Sequence, residues 1–195
     1  MKTKNLLFAM LVGAFAFQAC RNTNRTSNDP DSLNNASVDS TQRVMADTAA
    51  QAVSSDTTNF LYQAAVGGMM EVKSGKLAQS QGSDSKVKDF GALMVKDHSK
   101  ANDELKRIAM AKNVALPAIL PFKVQDHVDA MSKMTGKDFD KHYMDMMVND
   151  HGKTIELFKT ASNDLDTAIS NFAKKTLPII EGHHKKAEAI NSSLK

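Results

Sequence analysis

The sequence predicts an all-α protein: an up-down-up-down four-helix bundle over residues 57–195, with a short connecting helix between the second and third long helices. Three observations carry this. Apolar residues recur at spacings of three and four over long stretches, which lines them up on one face of a 3.6-residue helix. No stretch alternates apolar with polar at period two, and no turn signal joins two β-branched runs. Helix breakers stand between the periodic stretches, at Gly82-Ser83, Pro117 to Pro121, Gly136 and Ser162-Asn163-Asp164.

The first helix is expected from Thr57 to Gln81. Gly82-Ser83 ends it, and Ser83 can cap the second helix. That second helix, Asp84 to Asn113, carries the stripe Val87, Phe90, Met94, Ala101, Leu105 and Ile108. Pro117 and Pro121 prevent its continuation, because proline lacks the N–H and clashes with the preceding turn. A short helix from Lys123 to Met134 fills the connection and Gly136 ends it. The third long helix, Asp138 to Ala161, carries Tyr143, Met147, Thr154, Phe158 and Ala161 on one side. The fourth, Leu165 to Ser192, carries Ile169, Phe172, Thr176, Ile180, Ala187 and Ile190, and Pro178 should bend or divide it. Short connections favour antiparallel neighbours, hence the alternating order. Gly67-Gly68 lies inside the first helical pattern and suggests close helix packing.

The chain opens MKTKNLLFAMLVGAFAFQAC. A basic start, an uncharged apolar run from Leu6 to Phe17 and small residues before Cys20 are the layout of a signal peptide over 1–19, too short for a comfortable bilayer span. Phe17-Gln18-Ala19-Cys20 looks like a bacterial lipobox, with Cys20 as the lipidated first residue of the mature chain. Cys20 is the one cysteine, so no disulfide staples the chain internally. Residues 20–56 form an expected tether: RNTNRTSNDPDSLNNASVDSTQ holds almost nothing apolar and cannot offset the entropy of ordering. The expected location is the bacterial cell envelope, lipid-anchored at the outer membrane or facing the periplasm, with the membrane as partner.

The formal charge of +3 includes Lys2 and Lys4, so removing the signal, which holds no acid, leaves +1. No basic face with interleaved aromatics occurs, which argues against a nucleic-acid partner. No nucleophile with its base, phosphate-binding glycine loop or dinucleotide fingerprint is present. The chain therefore reads as a binding protein more than an enzyme.

The chemistry is concentrated in a repeat. FGALMVKDHSKANDEL (90–105) and YMDMMVNDHGKTIELF (143–158), offset by 53 residues, share Met94/Met147, Val95/Val148, Asp97/Asp150, His98/His151 and Lys100/Lys153. His98 falls between Met94 and Ala101 on one stripe, and His151 between Met147 and Thr154 on the next. Glu71 lies on a first-helix face of small residues, and His183 between Ile180 and Ala187 on the fourth. Glu71, His98, His151 and His183 thus aim inward, one per helix. Buried imidazoles and carboxylates are costly unless paired or bound. Together they are a candidate site for Zn, Cu or Fe. Asp97 and Asp150 are candidates to orient the histidines through their second ring nitrogens. In an up-down-up-down order, Glu71, His151 and His98 lie about 10, 11 and 14 residues from the end where helices one and two meet. His183 lies about 18 residues down, roughly 6 Å below the rest at ~1.5 Å per residue.

Other readings stand beside this. Two Asp-His pairs can fix helix register with no ligand, which makes the bundle a structural or interaction module. Glu181-Gly182-His183-His184 has the Glu-x-x-His spacing of di-iron bundles, but Val95 occupies the position of the matching glutamate, so a metal-dependent oxidoreductase is a distant third. Met69, Met70, Met94, Met144, Met146 and Met147 lie near the polar layer. Thioethers suit Cu(I), but methionine is also ordinary core filler. Asp126-His127, on the connecting helix, reads as surface.

The stretches FLYQAAVGGMMEVKSGKLAQ, VKDFGALMVKDHSKANDEL, LPAILP, GKDFDKHYMDMMVNDHGKTIELF and TLPIIEGHH cover nearly all of 57–190 in order. With them the chain resembles the bacterial domain-of-unknown-function family 4142, a group of exported proteins placed among ferritin-like bundles. The resemblance implies a ferritin-like fold and an envelope-attached protein, with recurrent polar positions at Glu71, Asp97, His98, Asp150, His151 and His183. It implies no established activity. His184 stands where the family has an apolar residue, which leaves open whether His183 or His184 faces the core. A related exported family of Met- and His-rich bundles is associated with copper.

Overall fold

A computed structural model describes residues 53–194. The signal over 1–19, Cys20 and nearly all of the 20–56 tether lie outside the described residues. The described chain forms five helices: α1 Ser55–Gln81, α2 Ser85–Ala111, α3 Phe122–Met131, α4 Gly136–Ala161 and α5 Thr167–Ser193. There is no strand among the described residues. The all-α four-helix bundle with its connecting helix is what the periodicity predicts.

Capping moves the helix ends. Ser54 accepts from the Thr57 N–H, so α1 begins at Ser55. Asp84, not Ser83, caps α2 by accepting from Lys86. Asp166 caps α5 by accepting from Ala168 and Ile169. Such a side-chain acceptor satisfies one of the backbone donors that a helix start leaves free. The connecting helix stops at Met131, and Gly136, with φ of 65°, opens α4 instead of ending α3. α5 runs through Pro178 undivided.

The direction of the helices differs from the expected alternation. Asp140, in the first turns of α4, accepts from the backbone N–H groups of Ser83 (3.0 Å) and Asp84 (2.8 Å), in the α1–α2 turn. At the opposite end, Thr57 of α1 donates to Asp164 (3.0 Å), in the turn between α4 and α5, and Lys112 after α2 pairs with Asp166. α2 and α4 therefore run the same way, and the order is up-down-down-up. The reason is the connection. α2 is about 40 Å long at 1.5 Å per residue, and residues 112–121 with α3 can cover that length. Gln81, at the end of α1, donates to the Ser132 carbonyl just after α3, so the crossover ends beside the α1–α2 turn.

α1 and α2 pack backbone to backbone at two glycines. A Cβ on Gly75 would stand 2.7 Å from the Gly91 carbonyl oxygen, and one on Gly91 would stand 2.6 Å from that of Gly75. Of the expected pair Gly67-Gly68, Gly68 makes room for the Asn102 side chain and Gly67 meets nothing within 4 Å.

The core divides into two apolar clusters. One holds Ala78, Phe90, Met94, Tyr143, Met147 and Ala187. The other holds Ala65, Leu105, Phe158, Phe172 and Ile180. On every long helix one buried ionisable residue separates them: Glu71 between Ala65 and Ala78, His98 between Met94 and Leu105, His151 between Met147 and Phe158, and His183 between Ile180 and Ala187. These four form a buried polar layer across the bundle.

Candidate metal centre

The layer is level because of the helix directions. Glu71 is ten residues before the end of α1, His98 thirteen after the start of α2, His151 fifteen after the start of α4, and His183 ten before the end of α5. All these counts start from the same end of the bundle. His183, expected about 6 Å too low, is therefore a full member. Its ring centroid is 5.5 Å from that of His98 and 5.6 Å from that of His151, and the last two are 5.8 Å apart. His183 is buried, whereas His184 is half-buried and faces Glu188 at 3.9 Å, so His183 is the one that faces the core.

Each imidazole is oriented by one nitrogen. His98 Nδ1 donates to Glu71 Oε2 at 2.8 Å. His151 Nδ1 donates to the Met147 carbonyl at 2.9 Å and lies 3.5 Å from Glu71 Oε1. His183 Nε2 donates to Asp97 Oδ2 at 3.0 Å. The nitrogens left over, His98 Nε2, His151 Nε2 and His183 Nδ1, are buried and have no hydrogen-bond partner. One ring nitrogen from each histidine lies within 4.8 Å of the others. A tetrahedral ion with nitrogens at about 2.0–2.1 Å keeps them about 3.3–3.4 Å apart. Small inward shifts of the rings would reach that spacing. The three buried histidines could hold a metal.

Two expected roles change. Glu71, expected among the ligands, meets His98 and His151 on their Nδ1 sides, so it holds the rings from behind and is not one of the three grouped donors. Asp150, expected to orient a histidine, instead meets Lys153 at 3.2 Å. His151 has no need of it, because the Met147 carbonyl one turn back takes its Nδ1 proton. Asp97 reaches from α2 to the histidine of α5, not to its sequence neighbour His98.

Electrostatics follow this arrangement. Burial pushes the Glu71 carboxyl up, but His98, His151 and His183 together outweigh it and hold Glu71 below its usual range. Burial pulls His98 down, and the Glu71 charge and hydrogen bond overcome it, leaving His98 above its ordinary value. His151 and His183 both lie below theirs, chiefly through burial. Two of the three imidazoles are therefore poised as neutral donors, and the third shares a proton-stabilised pair with Glu71.

Periodicity placed one polar group on the core stripe without marking it as part of the site. Tyr143 Oη is buried with no partner, and burial with the Glu71 charge pushes its pKa up. Its place on the stripe and at the head of the second repeat copy were the signals the sequence carried. A cavity of about 40 Å³, bordered by Glu71, His98, Thr154 and Thr176, adjoins the layer. It is large enough to admit water. Three buried histidines in one layer of a helical bundle could hold a metal ion.

The chain belongs to the family described as domain of unknown function DUF4142, whose model matches residues 42–190. Its fold is similar to that of a DUF305 protein, proposed to be secreted, from Streptomyces coelicolor: TM-score 0.61 at 10% identity, over 72% of this chain and 94% of that one. No curated protein matches. None of the described helices is long and apolar enough to cross a membrane.

Proposed function

We propose that this protein is a lipid-anchored lipoprotein of the bacterial envelope whose bundle binds a transition metal ion through His98, His151 and His183. Glu71 and Asp97 orient two of those rings, and a carbonyl orients the third. The carrying observation is the set of three unpartnered ring nitrogens. A buried polar atom without a partner costs about 1–3 kcal/mol. Three in one layer are a heavy burden for a bundle that needs only register. A bound ion removes all three costs at once. Nitrogen donors suit Zn, Cu or Fe. The signal-like start, the lipobox-like Cys20 and the polar tether support the anchor.

The rival reading is an interaction module without a ligand. It is favoured by the Glu71–His98 and Asp97–His183 pairs, which tie α1 to α2 and α2 to α5. It leaves the three nitrogens unexplained.

Protein purified without chelators, with elemental analysis and thermal melting, tests the reading. The expected result is about one ion per chain and a metal-dependent gain in Tm, equivalent to ~2.7 kcal/mol at 100 times Kd. His151→Ala should abolish that gain. A wild-type protein that takes up no ion, or a gain that survives in His151→Ala, refutes the centre. For the anchor, Cys20→Ser should end acyl labelling and release the chain from membranes; a wild type that takes no lipid defeats it.

A further inference from the structure

We propose that α3 and α4 carry a second, outward-facing site for a soft monovalent cation, Cu(I) or Ag(I), built from His127, His142 and Met146. It is independent of the three-histidine centre and shares no residue with it.

His127 Nε2 of α3 stands 3.2 Å from the Met146 sulfur of α4. The His142 ring lies 5.4 Å, centroid to centroid, from that of His127, tilted by 40°. His142 and Met146 are four residues apart on α4, one above the other on a single helix face. α3 brings its histidine against that face. Two imidazoles and a thioether are thus gathered by two elements from sequence positions 127, 142 and 146.

The donor types decide the class of ion. A thioether is a soft, uncharged ligand that favours Cu(I) and disfavours Mg, Ca and Mn, which prefer oxygen. A first-row ion with nitrogen at about 2.0 Å and sulfur at about 2.3 Å, the distances of a zinc centre, keeps the two roughly 3.2–3.8 Å apart, and the larger Ag(I) sets them somewhat farther apart. The observed 3.2 Å falls at the close end of that range. An N–H to sulfur hydrogen bond alone would account for His127 and Met146, but not for the second imidazole beside them.

Accessibility sets this site apart. His127 is exposed, His142 half-buried and Met146 8% exposed. An ion can reach them without opening the bundle. The inner histidines are 0–7% exposed.

Titration of the full chain with Ag(I), a redox-inert probe of the same preference, tests the proposal through the methionine methyl NMR signals. One methyl should move with the first equivalents and should be absent in Met146→Leu. His127→Asn and His142→Asn should each weaken Ag(I) binding at this methyl at least tenfold. His151→Ala should leave it unchanged. A Met146 methyl that ignores stoichiometric Ag(I), or an affinity that survives either surface histidine substitution, overturns the site. The two surface substitutions keep the test usable if Met146→Leu fails to fold.

Discussion

Asp97 on α2 accepts a hydrogen bond from His183 Nε2 on α5 at 3.0 Å, across 86 positions of sequence. The bond fixes the His183 tautomer and turns Nδ1 inward. A carboxylate in this role raises the basicity of the ring it orients. Asp97→Ala should therefore weaken metal binding by about 10–100-fold while the bundle stays folded. Competition titration against a chromophoric chelator measures this. Asp150→Ala, at a carboxylate that meets only Lys153, should leave affinity unchanged. Equal losses in both variants would mean that net charge, not ring orientation, sets the affinity.

The glycines of α1 provide a paired stability test. Gly75→Ala would push a methyl to 2.7 Å from the Gly91 carbonyl oxygen, a backbone atom that cannot swing aside. Forcing the helices apart should cost about 1–3 kcal/mol. Gly67→Ala meets nothing within 4 Å and replaces glycine by the best helix former, so it should stabilise by up to about 1 kcal/mol. Urea midpoints of the two variants should move in opposite directions; a shared direction would contradict the assigned contact.

Asp166 gives a pH dependence with a definite sign. Its half-buried carboxyl is raised by burial, but the Lys112 hydrogen bond and the N–H groups of Ile169 and Ala168 outweigh this and hold its pKa below the usual value. A carboxyl depressed by folding stabilises the fold above its unfolded pKa, and that contribution fades as pH falls through the folded pKa. Stability should thus decline as pH falls below about 4. Asp166→Asn keeps a good N-cap but loses the ion pair, so its stability should fall less steeply over that range. Asp166→Ala should cost about 0.5–2 kcal/mol at neutral pH through the lost cap. Parallel acid titrations of Tm would reveal an unchanged slope in Asp166→Asn if the pairing contributes nothing.

Much of this molecule was legible in one dimension. Helix periodicity and breakers are local, so the sequence determined four long helices, a connecting helix and the inward faces of Glu71, His98, His151 and His183. The Met94/Met147 and His98/His151 repeat marked the layer for the same reason: a residue one turn from a core methionine shares its face. Helix direction after a long connection is not local. It depends on whether residues 112–135 turn back at once or cross the length of the bundle, and packing of α3 against α1 and α4 decided that. The crossover lifted His183 into the layer and so within reach of Asp97 on α2. It also brought His127 to Met146. Side-chain partners across helices are set by height and rotation of separate elements, and only the tertiary structure fixes those.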